Sequence, residues 1–501
     1  MEAWVSSLRG VTATEVSLAS FEASRVLAEG GNAVDAMVTA SLVLAVTIPH
    51  LGGVGGDFFM LYRSPEGRVY FVNGSGPAPA RLSREEVRSR GLDSIPERGP
   101  LSPVVPGMLG GLYEAWRRFG SVEWRRLVEP AWRLATRGFP LPATTARALK
   151  TLRDCLSRDP GSRETLVRAI HPEPGTPVKM PGLAALLAGY MEDPLYLYRG
   201  EPAEALEEYM FSVGGVITSE DLRSYRPLTG EPLVGEYKGY RIYEMPPNSQ
   251  GATTFFILYG LEEHEGKYPP FSKERAEVLA SVAREAYILR DNYIGDPARV
   301  PVEPSRLAER SFYTEVKSKI TLREASDGGS GDTTFFAVAD GEGGVVAGIQ
   351  SLFYPFGSCV TEPRFQVTLN NRALGFTLKE GLPSTLRPRA RPLHTLSAVI
   401  MEGNDRVIAL GASGGHLRPQ MHALFITNIV DYGMGVGEAI NAPRALLDPS
   451  TGSILYEEGW DAGPEWKRAQ RLGVANAVEV LQGGVKVGYT DRRGEGLPSP
   501  A

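Results

Sequence analysis

Thr333 stands where a hydroxyl could serve as a nucleophile. It follows Gly331-Asp332 and precedes Thr334 and a run of strand formers, Phe335-Phe336-Ala337-Val338-Ala339-Asp340. Upstream, Ser326-Asp327-Gly328-Gly329-Ser330 offers nothing to pack into a core. Downstream, Gly341-Glu342-Gly343-Gly344 reads as a turn into a second strand over residues 345–351. The segment therefore predicts a hairpin headed by threonine. Cleavage between Asp332 and Thr333 would free the α-amine of Thr333. That amine could act as general base for its own hydroxyl, with no histidine required. The same residues also read as ordinary turn chemistry before a threonine-bearing strand.

A second candidate nucleophile lies in Gly411-Ala412-Ser413-Gly414-Gly415, which matches G-x-S-x-G between a predicted strand (406–411) and a predicted helix (419–432). A nucleophile elbow needs a histidine from a later loop. Only His416 and His422 follow, both on the adjacent helix, which argues against Ser413. The six histidines show no metal-ligand spacing and no Cys/His cluster exists, so no metal is expected.

The surrounding elements would hold these groups in a core. Residues 18–29 predict a helix ended by Gly30-Gly31, and Asn32 caps a second helix with Asp35 in its first turn. That second helix is apolar on most faces and so reads as sandwiched in a core. Gly52-Gly53-Val54-Gly55-Gly56 leads into strands over 58–63 and 69–72. The order helix, glycines, strand is the reverse of a dinucleotide fingerprint, so a close-packed turn is expected there. Helical spacing recurs over 109–119, 124–137, 203–213 and 274–293, and a strand is predicted over 397–401. Helices first and then a sheet-rich C-terminal third fit helices packed outside paired sheets.

Bulk properties exclude several classes. A chain of 501 residues with 42% hydrophobic and 22% charged residues can bury a large core. A formal net charge of -6 gives no reason to expect nucleic acid. The longest apolar run, residues 36–49, is too short to span a bilayer. The two cysteines, Cys155 and Cys359, cannot form a disulfide framework and fit a reducing compartment. With no basic n-region at Met1-Glu2-Ala3-Trp4, a cytoplasmic protein without a membrane partner is expected.

Several motifs taken together resemble the γ-glutamyltransferase family. They are Gly30-Gly31-Asn32-Ala33-Val34-Asp35-Ala36 with Gly52 to Gly56, Val105-Pro106-Gly107, Pro246-Pro247 with Gln250-Gly251, and Gly295-Asp296-Pro297. The Thr333 hairpin, Leu369-Asn370-Asn371, Arg391-Pro392-Leu393, Gly414-Gly415 and Gly488-Tyr489-Thr490-Asp491-Arg492-Arg493 complete the set. The resemblance implies an α+β fold, the four-layer αββα sandwich of N-terminal nucleophile hydrolases. It implies a proenzyme that cuts itself between Asp332 and Thr333 into a large chain 1–332 and a small chain 333–501, and that needs no cofactor. Thr333 would attack the amide carbonyl of a small-molecule substrate, and the acyl-enzyme would pass to water or an amine. Ser351 falls where the family hydrogen-bonds its nucleophile, and Gly414 and Gly415 fall on its oxyanion hole. Thr334, Thr395, His394 and Arg372 fall in the substrate-binding region.

The donor anchors depart from the family. Ser75 takes the place of the arginine that binds the glutamyl α-carboxylate, and Gly375 precedes Phe376 where an aspartate binds the α-amino group. Phe335 replaces a usual histidine. The pattern resembles a divergent branch of acylases and small-amide hydrolases, with Arg372, Arg387, Arg389 and Arg391 as candidates for a replacement anion site. Glutathione or another γ-glutamyl amide is the default donor, and a non-glutamyl acid amide is the alternative. An uncut, non-catalytic binding protein is the remaining reading. Whether the protein assembles into a homo-oligomer is not encoded in these motifs.

Overall fold

The computed structural model describes residues 3–264, 266–318 and 332–501. The glycine- and serine-rich loop expected before Asp332 lies outside the described residues. Fourteen strands build two antiparallel sheets. In chain order the first seven are β1 (Ala3–Ser7), β2 (Gly10–Ala13), β3 (Asp57–Arg63), β4 (Val69–Gly74), β5 (Leu228–Gly230), β6 (Leu233–Tyr237) and β7 (Tyr240–Glu244). The others are β8 (Asp332–Asp340), β9 (Val345–Phe353), β10 (Val399–Glu402), β11 (Arg406–Ala412), β12 (Ala475–Leu481), β13 (Lys486–Thr490) and β14 (Ser499–Pro500). One sheet runs β14-β2-β8-β9-β3-β4-β5, the other β1-β13-β12-β11-β10-β7-β6.

Period-2 alternation sorts the strand residues into layers. Phe335, Ala337, Ile349, Ala347, Phe59 and Leu61 face the second sheet and meet Tyr243, Ile400, Ala409 and Val478 between the sheets. Phe336, Val338, Val346, Phe58 and Met60 point the other way, under helices α1 (Ser17–Ala28), α2 (Ala33–Thr47), α3 (Met108–Phe119) and α4 (Trp124–Arg137). On the far side Ile242, Val399, Met401, Ile408 and Leu410 pack beneath α5 (Ala252–Leu261), α6 (Lys273–Tyr293) and α7 (Arg418–Val430). The result is the expected αββα sandwich. Helix α2 is buried along its whole length, so its lack of a polar face is a consequence of lying between sheet and helices. Its N-terminus carries a capping box from Asn32 and Asp35.

One sequence expectation fails here. Cys155 and Cys359 are not free: they form a disulfide, with Cα atoms 6.2 Å apart across 204 residues of sequence. Their pairing removes the argument that placed the protein in a reducing compartment. Among the described residues no helix is long and apolar enough to cross a membrane.

Candidate active site

The site begins as a row across four strands. Thr334 pairs with Gln350 and Phe335 with Ile349, and continuing that register sets Thr333 opposite Ser351. Ser351 in turn pairs with Asp57. Phe58 pairs with Gly74, so Asp57 stands beside Ser75. Thr333, Ser351, Asp57 and Ser75 thus share one sheet face, the face turned toward the second sheet, at the end of its core. All four are fully buried.

Thr333 Oγ1 donates to Ser351 Oγ at 3.3 Å, and the Phe353 N–H donates to the same oxygen at 2.7 Å. The register slips between Thr334 and Asp332, where β9 inserts an extra residue before Phe353. Phe353 adopts φ 83° there. A bulge re-aims side chains next to functional groups, and this one turns the Phe353 amide back onto Ser351. Gly56 must be glycine because a Cβ there would lie 2.5 Å from the Ser351 carbonyl. The nitrogen of Thr333 is still in peptide linkage to Asp332, both residues lying in β8.

Asp57 was not visible as a site residue in the sequence. It opens β3 directly after the glycine cluster, and its carboxylate gathers three neighbours. Oδ1 accepts from the Gly76 N–H at 3.2 Å, and Oδ2 accepts from Arg372 Nε at 3.2 Å. His394 Nε2 lies 3.0 Å from Oδ2. His394 is also fully buried, and its Nδ1 accepts the Leu396 N–H at 3.1 Å. Burial, with the Arg372 charge beside it, pushes His394 down to about 3, so the ring is neutral in ordinary conditions.

Arg372, expected among substrate-binding residues, is buried rather than solvated. Its Nη1 donates to Thr395 Oγ1 at 2.9 Å and its guanidinium lies 4.3 Å from the Phe353 ring centroid. Its Nη2 has no hydrogen-bond partner among the described residues. Burial lowers its pKa to about 10 despite Asp57, which leaves it cationic at neutral pH. A buried guanidinium with one unfilled donor beside the Asp57 end of this row is suited to an incoming carboxylate. Arg387 and Arg389 are exposed, while Arg391 reaches Ser75 O at 3.3 Å through Nε.

The Gly414-Gly415 turn follows β11, whose Gly411 packs on Phe335, two residues beyond Thr333. Gly414 and Gly415 take φ 141° and 54°. The φ of 141° at Gly414 lies where side chains are strained, so glycine is required there by conformation. Gln250 fixes this turn to the anion region, donating through Nε2 to Gly415 O at 2.9 Å and Thr395 O at 3.0 Å. Arg418 does the same from α7, donating through Nε to Ala412 O at 2.6 Å and through Nη1 to Thr395 O. Sequence reasoning saw the Pro246-to-Gly251 loop but gave Gln250 no role.

One expected residue, Thr334, is placed elsewhere, and Ser413, which the sequence argued against, has another role. Thr334 lies on the opposite face of β8 from Thr333, with its Cγ2 against Gly52 and the Gln350 side chain, as period 2 demands. Ser413 is no elbow nucleophile: its Oγ accepts the Val474 N–H at 2.7 Å. His416 Nδ1 faces Arg290 at 3.0 Å and His422 Nδ1 faces Glu244 at 2.8 Å, so both imidazoles are engaged away from Ser413.

Comparison with known proteins agrees with this geometry. The family described as Gamma-glutamyltranspeptidase matches residues 19–500. The chain is 33% identical to the glutathione hydrolase-like YwrD proenzyme of Bacillus subtilis, covering 96% of each chain. It is 31% identical to the oxamate amidohydrolase proenzyme of Klebsiella pneumoniae, covering 98% of each. Among solved structures it resembles cephalosporin acylase from Bacillus halodurans, with TM-score 0.90 and 27% identity over 100% of this chain and 97% of that one.

Proposed function

Because the chain belongs to the γ-glutamyltranspeptidase family, whose members here include amidohydrolases and acylases made as proenzymes, we propose that it is a self-cleaving amidohydrolase with Thr333 as nucleophile. The observation that carries this reading is the buried Thr333–Ser351 hydroxyl pair, 3.3 Å apart, at the start of a core strand. In maturation Thr333 Oγ attacks the Asp332 carbonyl. The C–N bond breaks as the nitrogen takes the proton, and water hydrolyses the resulting ester. The products are a large chain 1–332 ending in a carboxylate and a small chain 333–501 beginning with a free amine. In turnover that amine takes the Oγ proton while Oγ attacks the substrate amide. The N–H groups of Gly414 and Gly415 stabilise the oxyanion. The leaving amine departs with the proton, and water releases the acyl group.

For the donor, glutathione or another γ-glutamyl amide is the family default. A compact amide carrying a carboxylate on its acyl side is favoured by two positions. Ser75 cannot replace the guanidinium that a glutamyl α-carboxylate would need. At Gly375 a Cβ would lie 2.2 Å from the Leu393 carbonyl, so an aspartate for the α-amino group does not fit there. Arg372 Nη2 offers the replacement anion contact, with Thr395 and His394 holding and lining it. Hydrolysis is expected to dominate over transfer to amines.

The test is intact mass under reducing, denaturing conditions, because the Cys155–Cys359 bond would otherwise hold the two chains together. Wild type should split at Asp332–Thr333, and Thr333→Ala should stay near 54.3 kDa. A wild type that remains whole, with no acyl-enzyme burst on activated amides, overturns the reading in favour of a non-catalytic binding protein.

A further inference from the structure

A cavity of about 240 Å³ lies beside the oxyanion turn. Its walls come from Ile48, Leu51, Ala148, Leu152, Pro355 and Val474, with Ser413 at the inner end and Arg98, Arg147 and Arg471 around it. Two of its residues adjoin the reaction centre along the chain. Ser413 directly precedes Gly414, and Pro355 follows Phe353 by two positions. The cavity shares no residue with the cluster of Asp57, Arg372, His394 and Thr395. Stacked Phe353 and Tyr354, with ring centroids 4.6 Å apart, stand between the two.

The arginines of the cavity differ in their engagement. Arg98 is spent on the wall, donating to Pro355 O at 2.8 Å and to Gly357 O. Arg147 and Arg471 are exposed and have no hydrogen bond or ion pair among the described residues. His50 on the inner wall is neutral, held at about 3 by burial and by the Arg471 charge. Two carboxylates also line the cavity: Glu15 is buried, and Glu495 accepts from the Ala143 and Thr144 N–H groups at 3.0 and 2.6 Å. With Glu495 so engaged and Glu15 buried, a largely apolar slot with Arg147 and Arg471 at its edge selects a ligand that is apolar in the body and anionic at the end. Its volume exceeds the roughly 150 Å³ that suffices for a benzene ring.

We propose that this cavity is the leaving-group subsite, and that the amine released by the enzyme carries an aromatic or similarly apolar body ending in a carboxylate read by Arg147 and Arg471. The inference rests on the amidohydrolase reading, since it assigns the acyl side to Arg372 and leaves this side for the amine. Its test does not depend on turnover. Binding of 4-aminobenzoate and of aniline is measured by calorimetry on Thr333→Ala and on the same chain carrying Arg147→Ala and Arg471→Ala. The expected result is saturable binding of 4-aminobenzoate, weaker binding of aniline, and a loss of about tenfold for 4-aminobenzoate alone in the arginine variant. That loss should shrink at high salt, because both arginines are exposed. A Leu152→Trp substitution, which fills the slot, should weaken both ligands. Equal affinity for the two amines, no change on removing the arginines, or no binding of 4-aminobenzoate overturns the proposal. Failure of Thr333 cleavage with intact 4-aminobenzoate binding would instead count against the catalytic reading alone.

Discussion

Replacing Arg372 by methionine separates recognition from scaffolding at this site. The guanidinium makes two kinds of contact: Nε and Nη1 hold Asp57 and Thr395, at 3.2 and 2.9 Å, while Nη2 is unfilled. Losing the first kind leaves a buried carboxylate with the Gly76 amide and a neutral His394, at a cost of about 3–5 kcal/mol in stability. Losing the second removes a charge-assisted contact to substrate worth about 1.5–3 kcal/mol, or roughly 10- to 150-fold in kcat/KM. The assay compares a carboxylate-bearing amide with its neutral counterpart, oxamate with oxamide being the simplest pair. Arg372→Met should lower kcat/KM for the acid by that factor and leave the neutral amide within a few-fold. Adding Asp57→Asn should restore most of the thermal midpoint, because no buried charge is then left unpaired, without restoring the preference for the acid. If the double variant recovers that preference, or if the single variant loses both substrates equally, Arg372 is a scaffold group and the carboxylate assignment is wrong.

Other consequences can be checked on the same material. Ser351→Ala strips the Phe353 amide and Thr333 Oγ1 of their shared acceptor, and should cost about 1–3 kcal/mol in stability and slow self-cleavage at least tenfold; a mass time course with wild-type rates would remove Ser351 from the mechanism. The disulfide joins residues on opposite sides of the cleavage point, so the cut chains should run together on a denaturing gel without reductant and separate with it, whereas Cys155→Ser should separate in both. Burial holds His50 and His394 at about 3 and His416 well below its usual range. Each therefore binds its proton more tightly when unfolded. Stability should be complete above about pH 6.5 and fall as pH drops toward 3, by up to about 1.4 kcal/mol per pH unit for each histidine. Thermal midpoints of uncut Thr333→Ala between pH 7.5 and 5 measure the slope; His50→Asn should flatten it, and an unchanged slope would show that His50 is already charged in the folded state.

Much of the sandwich could be read from local pattern, because its strands are apolar on both faces and its buried helix lacks a polar one. Helix 124–137 and the hairpin around Gly341–Gly344 needed only periodicity and turn residues. What local pattern could not read is what depends on register. The resemblance set Ser351 against Thr333, and the period-2 alternation of β8, anchored by Phe335 against the second sheet, supplies the physical reason that Thr333 and not Thr334 faces it. Asp57 had no role in the sequence reading; it joins the candidate site because β3 pairs beside β9 in a register that sets it against Ser351. The Cys155–Cys359 bond spans 204 residues, a distance across which no local signal operates.

The row Thr333–Ser351–Asp57–Ser75 also explains how donor recognition could diverge while the nucleophile stayed. The two hydroxyls at one end are fixed by the β8–β9 pairing and by the Phe353 amide, which belong to the sheet core. The other end is held by Asp57 and by side chains from loops, namely Arg372, His394 and the Asn248 carboxamide, whose Oδ1 accepts from Asn73 Nδ2 at 2.9 Å and Ser75 Oγ at 3.3 Å. A change of charge at that end alters which acyl group can be held without shifting the strands that carry the hydroxyls. Arg372 is the cation at that end, its Nε reaching the Asp57 carboxylate that stands beside Ser75 in the row. A substrate carboxylate taken by Arg372 Nη2 would meet a guanidinium already anchored by Asp57 and Thr395, and Gln250 ties Thr395 in turn to the Gly415 carbonyl. Recognition at that end is therefore coupled to the glycine turn through side chains and not through the strands that carry the hydroxyls.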